Sequence, residues 1–307
     1  MTVTDGTILA ELVTERDGPR TELGESPRWD GTAWWWVDAA AGQVWTRRPG
    51  GPALLVHDAG GRVSLVQPAV SGRVVIASGQ TLLVVEEDPA GDGWRVAGTW
   101  CHLGLDEGWR VNDGVADAAG RLWIGSIAPE RKQLGGTLLR VDTDGSVTQV
   151  TTGFTLTNGM AWNASGDTLF HVDTFERTVW AHRIDPDSGS LVGSRQVLTF
   201  ADDDGLPDGI ATDTDDGIWV AMYGRGEVRR YSADGTLTQV IGVEPPQATS
   251  VELGGPDGCD ILITTAREGY DEDRSRAEPR AGRLYRARSS TPGLPKPKVV
   301  VASGELR

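Results

Sequence analysis

Six short corners of this 307-residue chain set a polar side chain just ahead of an apolar strand, and its identity changes from corner to corner. In chain order they offer Glu25, a residue at Val63 or Ser64, Asp113, Asn158, Asp208 and Thr249. If these positions share one axis, two or three carboxylates and an amide oxygen meet in a small funnel. Like charges at that range repel. A hard divalent cation relieves the repulsion, since Ca²⁺, Mg²⁺ and Mn²⁺ favour oxygen ligands. Asp or Asn before Gly also builds turns on its own account. From the corners alone, metal ligation and turn formation both stand.

Other residues offer less chemistry. His57, His102, His171 and His182 show no H-x-x-x-H spacing, which argues against an imidazole zinc site. Ser26 sits in G-E-S-P, not in the G-x-S-x-G elbow of a serine hydrolase. The stretch GGPDG lacks the strand-to-helix setting of a phosphate loop. Cys101 and Cys259 have neither metal spacing nor the number of a disulfide framework. The tryptophans fall mostly at strand positions and read as core, with Trp109, beside Arg110 at a blade corner, the one candidate for a substrate platform.

The elements that must carry the corners form a repeat. NDGVADAAGRLWIGSIA from Asn112, TNGMAWNASGDTLFHVD from Thr157 and PDGIATDTDDGIWVAMY from Pro207 align on a polar residue followed by Gly, an apolar residue and Ala. A polar turn and an apolar strand centred on Trp123, Phe170 or Trp219 complete each copy. Weaker copies centre on Trp35, Val75 and Leu262, giving six. Each is followed by a second apolar strand and an Asp-Gly or related turn, as in TLLRVDTDG and GEVRRYSADG. A period of roughly 40 to 50 residues with about four strands is that of a propeller blade. No stretch has convincing helical periodicity. The expected fold is an all-β, six-bladed β-propeller, a single domain over 1–307, with four-stranded antiparallel blades around a central axis.

Composition agrees. Gly 41 and Pro 16 are scattered among apolar stretches, as many short strands and turns require. The formal net charge of -15 disfavours nucleic acid and anionic membrane surfaces as partners. The N-terminal MTVTDGTILAELVTERDG lacks the basic and apolar regions of a signal peptide, and no apolar run has membrane-spanning length. A cytoplasmic, soluble monomer is the expectation.

The motifs resemble the gluconolactonase/regucalcin family, also called the senescence-marker and luciferin-regenerating-enzyme-like family. The resemblance runs from about Leu23 to Tyr285. It rests on LGESPRWD, WRVNDGVADAAGRLWIGSIAPE, TNGMAWN with HVDT, LPDGIATDTDDGIWVA, TSVELGG and TTAREG, in that order. It implies metal ligation by Glu25, Asn158 and Asp208, three members of the ring above. It also implies substrate contacts from Arg110, Asn112 and Glu130. Asp173 in HVDT matches a position near the site, without a ligand role. Many relatives have Gly-Pro after the glutamate where this chain has Ser26-Pro27. The region from Asp271 to Pro279 and the tail after Arg288 carry no usable motif.

Family members of this kind open aldonolactones, the cyclic esters of sugar acids. The resemblance therefore implies a metal-dependent lactonase acting on a small sugar lactone, its cation a Lewis acid toward the lactone carbonyl. Ca²⁺ or Zn²⁺ is the leading choice, with Mn²⁺, Mg²⁺ or Fe²⁺ as alternatives. Asp208 is the expected catalytic residue, orienting a water or taking its proton, and Arg110 can help the developing oxyanion. Two other readings stand beside it. One is a metal-dependent propeller hydrolase or isomerase acting on another ester or lactone of specialised metabolism. The other is a non-enzymatic calcium-binding propeller.

Overall fold

The computed structural model describes residues 3–4, 7–13, 18–91, 93–302, 304 and 306. Six sheets follow one another along the chain, each with antiparallel strands running outward in sequence order, except that N-terminal strands lie outermost in the last two: Glu11–Leu12 in blade six, and Thr7–Leu9 with Val3–Thr4 in blade five, Thr7–Leu9 pairing parallel to Leu237–Gly242. The first strands of the blades are Gly24–Trp29, Val63–Pro68, Arg110–Ala116, Thr157–Trp162, Leu206–Thr212 and Ala248–Gly254. Each packs against the first strand of the next blade, and the sixth packs against the first. The ring is closed, so the molecule is a six-bladed β-propeller. The predicted strand centres Trp35, Val75, Trp123, Phe170, Trp219 and Leu262 all lie in the second strands.

Alternation explains how the blades stack. Second strands such as Leu122–Ile127 and Ile218–Tyr223 sit inside the molecule and bury nearly every residue. Third strands such as Gln43–Arg47 and Tyr285–Arg288 alternate because one face of the outer blade meets water, and fourth strands such as Val147–Phe154 are mostly exposed or half-buried. The turn aspartates support the large aromatics: Trp35, Trp123 and Trp219 each donate their indole N–H to Asp30, Asp117 and Asp213 at 2.7–2.8 Å. A buried indole N–H without such a partner would be destabilising.

The glycines of the corners belong to the fold. A Cβ on Gly159 would strike the Ile210 backbone nitrogen of the next blade, and one on Gly209 would strike the Ser250 side chain. Blades four, five and six approach too closely there for any larger residue.

Three features lie beyond the sequence reading. The outer strand of blade six is Glu11–Leu12, so the N-terminal segment fastens the last blade by pairing with Tyr285–Arg288. A short α-helix, Glu272–Ala277, is N-capped by Asp271, which accepts from Arg274 N at 2.8 Å. The tail beyond Ser289 crosses the base of the ring. It bonds to Gly258 of blade six, Thr212 of blade five, Pro68 of blade two and Gly120 of blade three. No helix among the described residues is long and apolar enough to cross a membrane.

Candidate active site

Every inner strand is interrupted by a register shift, between Glu25/Arg28, Val63/Val66, Val111/Gly114, Thr157/Met160, Pro207/Ile210 and Ala248/Ser250. Such bulges re-aim the side chains at the break. Counting three residues back from the partner of each second-strand centre gives the equivalent positions. They are Glu25, Ser64, Asn112, Asn158, Asp208 and Thr249. The ring therefore differs from the expected one in blade three, where Asn112 takes the place read as Asp113. The ladder resumes at Gly114 in that blade but at Met160 and Ile210 in the next two, so matching glycine to glycine slips by one.

Asp113 faces a different partner. Arg28 Nη2 stands 2.9 Å from its Oδ1, with both side chains buried, and the same nitrogen donates to Gly114 O at 2.8 Å. Burial pushes the Asp113 carboxyl up while the Arg28 charge pulls it down. Thr249 is likewise structural: its hydroxyl donates to Gly24 O at 2.5 Å and meets Thr264 Oγ1 at 2.8 Å, tying blade six to blade one beside Glu25. Asp173 accepts the backbone N–H groups of Thr155 and Leu156 at 2.8 and 2.9 Å, fixing the entry to the Asn158 strand. Asp38 does the same for Glu22 and Leu23 ahead of Glu25.

A cavity of about 120 Å³ opens where the ring begins, and Glu25, Asn112, Asn158, Asp208, Arg110 and Glu268 all line it. Burial, then the charges of Asp208 and Asp113, pushes the Glu25 carboxyl well above the usual range. Burial and the Asp113 charge do the same to Asp208. Oδ1 of Asp208 is buried without a hydrogen-bond partner. Asn158 gives its Nδ2 to Thr174 Oγ1 at 3.1 Å, which leaves its carbonyl oxygen for the cavity. Two desolvated carboxylates and an amide oxygen around an unpaired oxygen fit a hard cation, which would satisfy the orphan atom and quench the repulsion. Among the described residues no group of three or more His, Cys, Asp or Glu side chains forms a metal cage; the third oxygen here comes from an amide.

Ser26 aims Glu25. Its φ of 52° lies in the left-handed region that favours glycine. Its hydroxyl faces the backbone N and O of Val66 at 3.2 and 3.3 Å, which offsets the strain. Asn112 is held at both ends: Nδ2 donates to Thr157 O at 2.8 Å, and Oδ1 accepts from Arg110 Nη1 at 3.2 Å. Burial, followed by the charges of Arg62 and Arg131, lowers the Arg110 pKa to about 10.

Two expected contacts lie elsewhere. Glu130 is exposed and outside the cavity lining, whereas its neighbour Arg131 is part of it. Trp109 is half-buried and also outside the lining. Sequence reasoning missed Arg62, Arg131, Tyr223 and Glu268 as lining residues. The signal was topological: loops entering first strands and leaving second strands share one mouth of a propeller. Glu268 stands in the TTAREG motif, which had no assigned role.

Fold and site together define a six-bladed propeller with an oxygen-lined axial pocket at one mouth. The family model for the SMP-30/Gluconolactonase/LRE-like region matches residues 23–267, and the chain belongs to that family. Among curated relatives, pentonolactonase XacC of Haloferax volcanii is 32% identical over 285 residues, covering 89% of this chain and 93% of that protein. Regucalcin of Gallus gallus is 29% identical over 282 residues, covering 87% and 91%. The solved calcium-binding protein regucalcin of Agrobacterium tumefaciens superposes with a TM-score of 0.84 at 24% identity, covering 96% of this chain and 99% of its own. A luciferin-regenerating enzyme matches with the same TM-score at 23% identity, covering 95% and 99%.

Proposed function

We propose that this protein is a divalent-metal-dependent lactonase that opens a sugar lactone to its hydroxy acid. Glu25, Asn158 and Asp208 would hold the cation. The observation that carries the reading is the buried, unpartnered Asp208 Oδ1 beside the desolvated Glu25 in a polar pocket. The relatedness to a pentonolactonase supports the reaction class, and a relative named as calcium-binding supports a divalent ion. When bound, such an ion supplies Lewis-acid polarisation of the lactone carbonyl.

The chain's own residues supply the rest. Arg110 donates to the carbonyl or ring oxygens and meets the negative charge that develops on them. Asn112, with both polar ends already engaged, keeps the guanidinium in place, so its main part is positioning. Asp208 has two oxygens to divide between ligation and proton transfer. A water oxygen attacks the carbonyl carbon as its proton passes to Asp208, the acyl C–O bond of the ring breaks, and the released ring oxygen takes that proton from Asp208. Glu130, exposed and outside the pocket lining, has no part in this reading.

The test is a pH-stat assay of pentono- and hexonolactones beside aryl esters and organophosphates. Sugar lactones should exceed the others in kcat/KM by orders of magnitude. Turnover spread evenly over the panel, or confined to aryl esters or organophosphates, would overturn the reading.

A further inference from the structure

Three arginines line the active pocket of a protein that carries a net charge of -15. Arg62 stands just ahead of the blade-two inner strand, Arg110 opens the blade-three inner strand, and Arg131 lies in the loop after the second strand of blade three. None of the three has an ion-pair partner among the described residues. Arg110 bonds Asn112 Oδ1 and Val111 O, and Arg131 lies over the Phe175 ring at 5.4 Å. Many arginines elsewhere do pair, as Arg73 with Glu86, Arg229 with Asp204 and Arg288 with Asp257.

The unpaired charges repel one another, since Arg62 and Arg131 both depress Arg110. Backbone strain holds one of them there. Glu130 and Arg131 have φ of 55° and 54°, two successive non-glycine residues in the left-handed region. Strain of this kind persists only where the surroundings over-determine it, and it collects at functional sites.

The charge balance says what the cluster is for. With Glu25 and Asp208 neutralised by a divalent ion, Arg62, Arg110 and Arg131 face the single carboxylate of Glu268 across the pocket. The loaded site thus has an excess of two positive charges. One arginine suffices for the oxyanion of ring opening, and neutral sugar hydroxyls need no such excess. Guanidinium forks match carboxylate, sulfonate and phosphate oxygens.

Building on the lactonase reading, we propose that Arg62 and Arg131, with Arg110, form an anion subsite. The preferred lactone then carries a second, negatively charged group at the end of the molecule remote from its carbonyl. Arg62 and Arg131 set specificity and Arg110 serves both the anion and the reaction.

Two measurements on the metal-loaded protein test this. The first compares kcat/KM for glucono-δ-lactone, its 6-phosphate and a lactone bearing a carboxylate in place of the terminal hydroxymethyl group. The anionic lactones should lead by roughly tenfold or more at low ionic strength, the lead shrinking with added salt. In an Arg62→Gln/Arg131→Gln variant with an unchanged melting temperature, the anionic-to-neutral ratio should fall toward one. A neutral lactone used as well as the charged ones, or a ratio unmoved in the variant, would overturn the proposal and leave lactone hydrolysis standing. The second is calorimetric binding of 6-phosphogluconate against gluconate, which needs no turnover. If no lactone is opened, the lactonase reading fails, and calorimetry still decides the subsite. Tighter binding of the phosphorylated acid, lost in the variant, supports it; equal binding overturns it.

Discussion

Arg28 Nη2 and Asp113 Oδ1 form a buried ion pair of 2.9 Å directly beneath the acidic mouth of the propeller. The pair removes Asp113 from the set of free carboxylates and leaves Glu25 and Asp208 as the uncompensated charges. The same guanidinium donates to Pro27 O and Gly114 O, so it also stitches blade one to blade three across the axis. Replacing Arg28 with Met should therefore destabilise the protein by about 3–5 kcal/mol, because Asp113 keeps its burial and loses its counter-charge. Urea unfolding monitored by tryptophan fluorescence measures this. A loss below about 1 kcal/mol would mean that the pair carries little of the fold.

Asp208 is held against its own stability. Its buried carboxylate repels Glu25 and Asp113, so in metal-free protein Asp208→Asn should raise the melting temperature while reducing lactone turnover by at least about a thousandfold. Asn158→Ala should reduce turnover comparably with the fold retained. Melting curves and initial rates on the same preparations check both. A metal-free Asp208→Asn protein less stable than the parent would show that the hydrogen bond with Asn158 outweighs the repulsion.

Ser26→Ala should lower stability by about 1–3 kcal/mol, since Val66 N is left buried without its acceptor at a strained backbone position. Ser26→Gly loses the same bond and relieves the φ strain, so it should be the milder change. Chemical denaturation of the two variants side by side gives the order. Equal losses would mean that strain at this residue is negligible.

How much of this was legible beforehand depended on whether the relevant force is local. Alternation and turn chemistry act over a few residues, so strand centres such as Trp123 and Trp219 and the count of blades could be read directly. The glycine corners could be read for the same reason. The register of the inner strand could not. It is set by the bulge and by the pairing with the second strand: Gly114 lies two residues before the paired strand end Ala116, whereas Gly209 lies three before Thr212, so alignment on glycine put Asp113 where Asn112 belongs. Contacts made across more than two hundred residues were silent as well. Glu11–Leu12 shows too little pattern to announce a strand, and the tail's Val299 N–H finds Pro68 O at 3.0 Å only because the closed ring brings blade two beside the C-terminal segment. Arg62 and Arg131 look like ordinary surface charges until the loops are seen to share one mouth.

Acid should weaken the fold through blade four. His171 Nδ1 and His182 Nε2 are 3.3 Å apart in the interior, and His182 Nδ1 lies 2.8 Å from Ser194 Oγ. Burial lowers the His182 pKa to about 4 and holds His171 well below its usual range. Between the unfolded imidazole value near 6.5 and the folded one, only the unfolded chain takes up the proton. Stability should be fully present above about pH 6.5 and decline toward pH 4, by up to about 1.4 kcal/mol per pH unit for each histidine. Urea midpoints at pH 7, 6 and 5 follow the decline, and His182→Gln should flatten it. An unchanged slope in that variant would place the titration elsewhere.

The central claim is that Glu25, Asn158 and Asp208 hold a divalent ion on which lactone opening depends. Its most direct test is a metal titration of chelator-stripped protein, with hydrolysis of pentono- and hexonolactones followed as each ion is added. Stripped protein should show negligible turnover, with recovery that reaches its plateau at one bound divalent ion per chain. Full lactone hydrolysis by metal-free protein would contradict it.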